Sequence, residues 1–489
     1  MAKGLQTAGE FKLDQLKLVT TSGLEVDLTA SVVGLTLFED IFSMTVSGTV
    51  AIADSVNLAS YGPLLGQEYL HLKISTPTFK DESSIIDFSK NAFLVHSISK
   101  REKITAGIQG FTLSFVSPEL VRNQRLKVTQ SLTETWSNIV EKMLTDPAYI
   151  DTKKEINVEP TSGIKKFVAP NVRPLDIVVL GMKQAVSEYK GESTYLFYET
   201  LKGFNFRTLA SHYNDASQLE YIIVPPGTNP VGSKNYDILN ELRTVINYEI
   251  VSNNDSIVNY RTGMFGSKLI THDIINKNYL TKTYNYHDEF VNESHIVGGV
   301  TEGKSEFPLA SAIKLNEKGL RVSDFPARTF LMPTSLSGSV DSQHQTGNNT
   351  SPYMAYDPHK WLQKRNSQMV QLQNALQVNI MTHGNTLINA GDKVILNLPY
   401  TAAVHAVGED KFDRFYKGPF LIKRIRHDFI MTSSPKMHRM HMNLVKDSLE
   451  EELGVTGPIE PTDTNSKITK YKYNYKEACN QKKLSFHIQ

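Results

Sequence analysis

The strongest constraint on this chain is a hairpin that the sequence writes twice. Residues Gly418–Arg426 read Gly-Pro-Phe-Leu-Ile-Lys-Arg-Ile-Arg, and after the turn residues Ser433-Ser434-Pro435 a strand returns over Met437–Val445. On the return Met440, Met442 and Leu444 alternate with polar residues, the period of two that a half-buried strand requires. Asn91–Leu120 follows the same plan. It opens Asn-Ala-Phe-Leu-Val-His-Ser-Ile-Ser and returns through Phe111, Leu113 and Phe115 on alternate positions. Phe93, Leu94, Val95 and Ile98 thus match Phe420, Leu421, Ile422 and Ile425, and the later hairpin is two residues longer in its loop. Both returns end alike, in Phe115-Val-Ser-Pro-Glu-Leu120 and Leu444-Val-Lys-Asp-Ser-Leu449. Any two hairpins share alternation, but the Phe-Leu-aliphatic-basic-x-Ile string goes beyond it. The expectation is two like β-domains, with Phe93, Val95, Ile98 and Phe115 repeating as Phe420, Ile422, Ile425 and Leu444.

At 489 residues the chain has room for about three domains. Lys plus Arg number 52 and Asp plus Glu 51, so no global charge draws it to nucleic acid or membrane. Its lone cysteine, Cys479, excludes an internal disulfide and a Cys-cluster zinc site. The opening Met1-Ala2-Lys3-Gly4 runs into polar sequence, so no signal peptide is expected, and no apolar run approaches the ~18 residues of a membrane span. Maturation in a reducing cytoplasm follows. The 21 Tyr and 22 Phe favour a β-rich fold.

Along the chain, residues up to about 120 read as short strands: Leu24, Val26 and Leu28, then Val33, Leu35 and Leu37, then Met44 through Ile52, then Leu70, Leu72 and Ile74. Asp54 could cap a short helix. Ser131-Leu-Thr-Glu134 spells a capping box ahead of Trp136, Ile139, Val140, Met143 and Leu144, which share one helix face. Pro174 suits the first position of a second helix carrying Leu175, Val178, Val179, Met182 and Val186. Tyr195–Glu199 and Phe204–Arg207 form a hairpin about Lys202-Gly203, and Pro225-Pro226-Gly227 ends this α+β unit. Leu242–Val251 and Ile257–Thr262 look like strands, residues 287–356 look loop-rich, and Asp357-Pro358 opens a helix with Trp361, Leu362, Arg365, Met369 and Leu372. Leu376, Val378 and Ile380, the turn Asn389-Ala390-Gly391-Asp392, and Val394, Leu396 and Leu398 repeat the strand, Gly turn, strand order of the first 120 residues, with a one-residue slip between Gly66 and Gly391.

Catalytic and metal-binding constellations are discounted. His438 and His441, with His427 nearby, are three apart and so fall on opposite faces of one strand, which suits no shared metal. Gly298-Gly299 lacks the strand before it and the Lys-Ser/Thr after it that a phosphate loop needs. Asp54, Asp273 and Asp357 read as caps or turn formers. Lys364-Arg365 and the cluster Lys423, Arg424, Arg426 could face an acidic surface, although solvated faces commonly look this way. No catalytic set, cofactor or metal is expected. The tail after Leu449 is too polar for a core of its own, and Lys470, Tyr471, Lys472, Tyr473 and Tyr475 suit a segment that orders against a partner.

The order of these elements resembles the baseplate hub protein of contractile-tailed bacteriophages, related to the amino-terminal tube-forming part of type VI secretion spike proteins. The resemblance is carried by Gly34-Leu-Thr-Leu-Phe-Glu-Asp-Ile41, Val50-Ala-Ile-Ala-Asp-Ser55, Phe115-Val-Ser-Pro-Glu-Leu120, Tyr195-Leu-Phe-Tyr-Glu199 and Ile388-Asn-Ala-Gly-Asp392, across roughly residues 10–450. It implies a β-rich α+β fold with two related small β-barrels, an α+β domain between them and a loop-rich insertion in the second. The divisions expected are residues 1–120 for the first barrel, 121–232 for the α+β domain, 233–265 and 366–449 for the second barrel, 266–365 for the insertion and 450–489 for an extended tail. It further implies a non-enzymatic homotrimer in the virion baseplate, assembled in the host cytoplasm without membrane anchoring. That trimer would adapt a hexameric tail tube to a trimeric central spike. Implied partners are the spike, a tube or tube-initiator protein, neighbouring wedge proteins, and phage DNA passing through the lumen without sequence-specific binding. A type VI-like spike protein and a host-attachment β protein are the competing readings.

Overall fold

The computed structural model describes residues 7–58, 62, 64–77, 84–223, 237–252, 255–273, 277–297, 306–310, 319–334, 356–399 and 412–451. The tail lysines and tyrosines from Lys470 to Tyr475, and Gly298-Gly299, lie outside these residues. The chain is β-rich, with a large, almost wholly antiparallel sheet and few helices.

The first strands alternate as their apolar residues dictate: β1 (Lys12–Val19), β2 (Glu25–Asp27), β3 (Val32–Asp40), β4 (Ser47–Asp54), β5 (Tyr69–Ser75), β6 (Ile86–Thr105) and β7 (Ile108–Val116). They pair in the order β3-β4-β7-β6-β5-β1-β2. Their inward residues, among them Leu37, Val50, Leu72, Phe93 and Phe115, make one core. Helix α1 (Pro118–Arg125), β8 (Ser131–Glu134) and α2 (Trp136–Thr145) follow. The expected capping box does not form. Ser131–Glu134 is a strand whose Leu132 is buried, and Thr135 caps the helix by accepting from the Asn138 amide at 3.3 Å. The next threonine offers the same hydroxyl and leaves Leu132 free to pack.

Strands β9 (Glu155–Val158) and β10 (Lys165–Val168) precede α3 (Pro174–Gln184), which starts on its proline. The hairpin β11 (Tyr195–Thr200) and β12 (Gly203–Thr208) leads to α4 (Leu209–Asn214) and β13 (Glu220–Tyr221). Trp136, Ile139, Met143, Leu175, Val178 and Phe204 share a core here. Gly181 belongs to it sterically, since an added Cβ would sit 2.8 Å from the Trp136 ring.

Helix α5 (Ile238–Leu242) and β14 (Val245–Ser252) come next. Ile257–Thr262, expected as a strand, is instead α6 (Ser256–Arg261). Asp255 caps it by accepting from the Ile257 and Val258 amides at 3.1 and 3.0 Å, so one carboxylate overrides the β-branched composition. Strands β15 (Gly266–Asp273) and β16 (Asn278–Asn285), the short helix α7 (Tyr286–Glu289) and β17 (Phe307–Pro308) follow. The stretch expected to be loop-rich also contains β18 (Arg328–Thr334), parallel to β15 and legible only once β15 is there to pair it. A 3-10 turn capped by Asp357 runs into α8 (Leu362–Asn374).

The closing strands are β19 (Leu376–His383), β20 (Lys393–Leu396), β21 (Pro419–Ile430), β22 (Met437–Lys446) and β23 (Ser448–Leu449). They pair as β14-β19-β22-β21, with β20 also on β21. Val378, Ile380, Phe420, Ile422, Met442 and Leu444 fill a second core. The two strand groups join into one sheet because β21 also pairs β3. Phe429, from the far half of β21, enters the first core and meets Phe11 edge-on at 5.0 Å.

Candidate functional site: two free edges and an open sheet face

The two hairpins can be compared rung by rung. Val95 stands opposite Phe115 and Ile98 opposite Leu113, and between them the register shifts so that His96 is passed over. Ile422 stands opposite Leu444 and Ile425 opposite Met442, and the register again shifts, passing over Lys423. A β-bulge therefore sits at the same place in both long strands. Phe93, Val95, Phe115, Phe420, Ile422, Ile425 and Leu444 are buried, and Ile98 is partly buried against the first core.

The strands flanking the hairpins correspond as well. Leu70 faces Phe93 as Val394 faces Phe420. The Val95 amide donates to the Glu68 carbonyl at 2.8 Å and the Ile422 amide to the Asp392 carbonyl at 2.9 Å. Both turns before these acids use a left-handed glycine, Gly66 at φ 80° and Gly391 at φ 89°. The one-residue slip seen in the sequence is the different distance from each glycine to its acid.

Extending the register outward aligns β4 with β19 and β3 with β14. One difference follows. The far half of β21, Arg424 to Ile430, is paired with β3 residues Asp40 to Gly34. The matching far half of β6 pairs only with β7 among the described residues. The matching outer edge of β14 likewise has no strand partner among the described residues. This edge carries Ile246, Ile250 and Val251, exposed by 42, 45 and 50%. Among the described residues two open edges are thus left on one chain, one carrying Lys100, Arg101, Glu102 and Lys103 and the other Glu249.

The face of the sheet turned away from the cores forms continuous polar rungs. Glu249, Asn379, Asn443, Arg424 and Asp40 stand side by side on five adjacent strands. Asn443 donates to Asn379 at 2.8 Å, Asn379 to Glu249 at 3.4 Å, and Arg424 Nε lies 2.7 Å from Asp40. The matching rung of the first hairpin reads Thr36, Thr49, Ser114 and Ser97. Thr36 donates at 2.9 Å to Asp428, which also holds Arg426 at 2.7 Å and faces His441 at 3.3 Å. Burial, with Arg426 and Arg439 nearby, pulls the His441 imidazole below its ordinary value against the opposing pull of Asp428. Asp40, Glu249, Asn379, Asn443, Arg424 and Arg426 line a hollow of about 430 Å³ between the end of β3 and β14.

The basic cluster read from the sequence is split by the bulge. Arg424 and Arg426 face the open side, whereas Lys423 is buried and donates to Gln377 at 3.2 Å. Lys364 pairs with Glu192 at 2.8 Å, and Arg365 is buried, donating to the Tyr195 carbonyl at 2.8 Å. Burial pushes the Arg365 guanidinium down to about 10. Of the histidines, His438 is buried beside His427 at 3.1 Å, while His441 faces outward, as a spacing of three requires. Desolvation holds His438 well below its ordinary value. Asp273 ends β15 and Asp54 ends β4, where it accepts from the Val56 amide at 3.1 Å as a turn former does.

Sequence reasoning missed the buried acids that tie the parts together. Glu39 accepts from the Leu201 amide at 3.0 Å and the Ala390 amide at 2.7 Å, joining β3 to the β11–β12 turn and to the turn before β20. Glu199 accepts from the Val46 amide at 2.8 Å and, with Glu119, encloses Lys154 at 2.5 and 2.8 Å. Burial opposes the Lys154 charge, but the two carboxylates prevail and raise it. Glu39 sits on the apolar face of an alternating strand, which was its only signal, whereas Glu199 lies in a strand buried on both faces.

No family model matches the sequence. The chain is 22% identical over 387 residues to the probable baseplate hub protein gp334 of Vibrio phage KVP40, covering 78% of this chain and 83% of that protein. The resemblance to phage baseplate hub proteins thus extends over most of its length. Among solved structures it is similar to the 43 kDa tail protein of prophage MuSo2 from Shewanella oneidensis, at TM-score 0.48 and 9% identity over 88% of this chain and 98% of that one. The tail protein from Neisseria meningitidis MC58 overlays at TM-score 0.46 and 10% identity, over 90% and 97%. The E. coli c3393 protein, a component of the type VI secretion system, gives 0.38 and 9%, over 89% and 76%.

Proposed function

We propose that this chain is the structural hub of a phage tail baseplate, a homotrimer in which each copy contributes two related barrels to a ring of six. The observation that carries this reading is the β21–β3 junction inside one chain. The far half of β6 and the outer edge of β14 are the same two edges, without a strand partner among the described residues. Joining them between copies repeats the junction, sets the Lys100–Lys103 stretch against Glu249 and covers Ile246, Ile250 and Val251. A head-to-tail contact of this kind closes into a ring or runs on as a filament. Closure also removes the exposed strand edges. Two like units per chain let three copies present six similar surfaces, as a six-fold tube above a trimeric spike requires.

In this reading residues 1–120 form the first barrel, 121–232 the α+β domain, 233–265 and 366–449 the second barrel, and 266–365 its insertion. The open sheet face lines the lumen through which DNA passes without sequence-specific binding. The spike, the tube or its initiator, and the wedge proteins are the neighbours, and the protein resides in the virion tail. The role is scaffolding rather than catalysis. Residues 450–489, through Lys470, Tyr471, Lys472, Tyr473 and Tyr475, order against one of these neighbours. A truncation meant to test that should end after Glu451, because Leu449 is fully buried and β23 pairs β17.

The decisive measurement is light scattering on the purified full chain, alone and with co-expressed spike protein. A trimer is expected. Ile246→Lys with Ile250→Lys, both at exposed positions of one chain, should give a folded monomer by circular dichroism. A wild-type protein that stays monomeric with its spike present, or a trimer indifferent to both substitutions, would overturn the proposal.

A further inference from the structure

We propose that the open face around Arg424 and Arg426 is a latent polyanion-binding surface, kept from gripping duplex DNA by Asp40 and Asp428. The inference deepens the hub reading, on which the identity of the polyanion rests. The arginine side chains are 58 and 54% exposed, enough for phosphates to reach them, while Asp40 and Asp428 are 25 and 14% exposed and firmly seated. Asp40 lies directly across from Arg424 in register, at 2.7 Å. Asp428 holds Arg426 from two positions along the same strand and is itself positioned by the Thr36 hydroxyl. Arg439 stands opposite Asp428 in register, and Glu249 closes the Asn379–Asn443 rung at its far end. The positive groups are therefore matched by carboxylates in the same rung, as for Arg424 and Arg439, or two positions along the strand, as for Arg426. The first hairpin reaches the same end by another route, with Thr49, Ser114 and Ser97 carrying no charge at all.

A duplex approaching this face gains from displacing counterions only in proportion to the cations free to meet phosphate. Arginines already in charge-assisted contact with a carboxylate must lose that contact first. The aspartates thus set how strongly the polymer is held, and a face that contacts DNA without holding it suits transit.

The test measures fluorescence polarisation of a labelled DNA duplex with the purified full chain across a salt series. Wild type should bind weakly with a shallow salt dependence. Asp40→Asn with Asp428→Asn, nearly isosteric exchanges, should tighten binding by about tenfold or more at low salt and steepen its salt dependence. Adding Arg424→Gln and Arg426→Gln should abolish that gain. Asp14→Asn with Asp288→Asn makes the same change in net charge and should leave binding unchanged, since Asp14 and Asp288 pair with Lys12 and Arg321 and neither lines the hollow beside Arg424 and Arg426. Equal tightening by the two aspartate pairs, or none by Asp40→Asn with Asp428→Asn, overturns the inference. Light scattering on the same samples decides the hub reading separately: a wild type that forms no trimer with its spike defeats that reading whatever the DNA result.

Discussion

The first hairpin and the last share bulge, register and buried rungs, yet their open faces have nothing in common. Behind β4 and β7 lie Thr49, Ser114 and Ser97; behind β19 and β22 lie Asn379, Asn443 and Arg424. The cores differ too, but in a compensated way. Phe115 packs over Gly48, whereas in the matching rung Leu444 packs over Val378. What is retained is what the backbone needs: alternation, the bulge, and a left-handed glycine before an acid. The difference teaches that the sheet constrains one face through volume and leaves the other free to take its chemistry from what it meets.

The comparison breaks first at Glu39. The first unit holds the rest of the chain through this buried acid, which accepts from the Leu201 and Ala390 amides. Glu39→Ala would leave the Leu201 and Ala390 amides without their acceptor. Each bond to a charged group is worth about 1.5–3 kcal/mol, so a loss of about 3–5 kcal/mol is expected by urea titration. A loss under about 1 kcal/mol would mean water replaces the carboxylate and the two units are held by the β21–β3 pairing and the contacts around Phe429 instead.

The volume exchange can be tested directly. A Cβ on Gly48 would fall 2.4 Å from the Phe115 ring and 2.6 Å from the Thr36 carbonyl. Gly48→Val should therefore destabilise by about 3 kcal/mol, the upper part of the overpacking range. Adding Phe115→Leu copies the Val378–Leu444 pair of the second unit and should recover part of that loss. If the double variant is no better than the single one, the clash with the Thr36 carbonyl dominates and the two rungs are not interchangeable.

How much of this was legible in sequence divides along the same line. Buried positions such as Phe93 and Phe420 announce themselves because alternation is local and apolar. The helix faces at Trp136 and Leu175 were legible for the same reason. The capping box at Ser131 and the strand at Ile257 misled because each local signal had a nearby competitor, Thr135 and Asp255, that only the packed structure ranks. Glu39, Asp428 and β18 stayed hidden because their partners lie far away in sequence. The open face was visible as polar alternation, but which residues share a rung depends on the bulges, and a bulge leaves no residue-type signature.

The smallest expected effect is a pH dependence confined to the end of the second hairpin. Val116 leads into α1 there, whereas the matching segment after Val445 is fastened by His295. Its Nδ1 donates to the Asp447 carboxylate and its Nε2 to the Phe290 carbonyl, both at 2.8 Å. Two acceptors require both ring nitrogens to carry protons. Burial opposes that charge, but Asp447, the Phe290 carbonyl and nearby Glu293 outweigh it and raise the imidazole to about 8. The ordinary value is 6.5, so the contribution is fully present below about pH 6.5 and is lost as pH rises through about 8. A rise of this size corresponds to about 2 kcal/mol at most. Buried Glu293 and half-buried Glu306, both raised by burial, also face this imidazole, so the His295→Gln comparison across pH 6.5 to 9 separates its titration from theirs. Urea midpoints should fall across that window for the wild type and stay level for His295→Gln, which keeps a donor but cannot titrate. A fall of the same size in His295→Gln would place the titrating group elsewhere and return the two hairpin ends to equivalence.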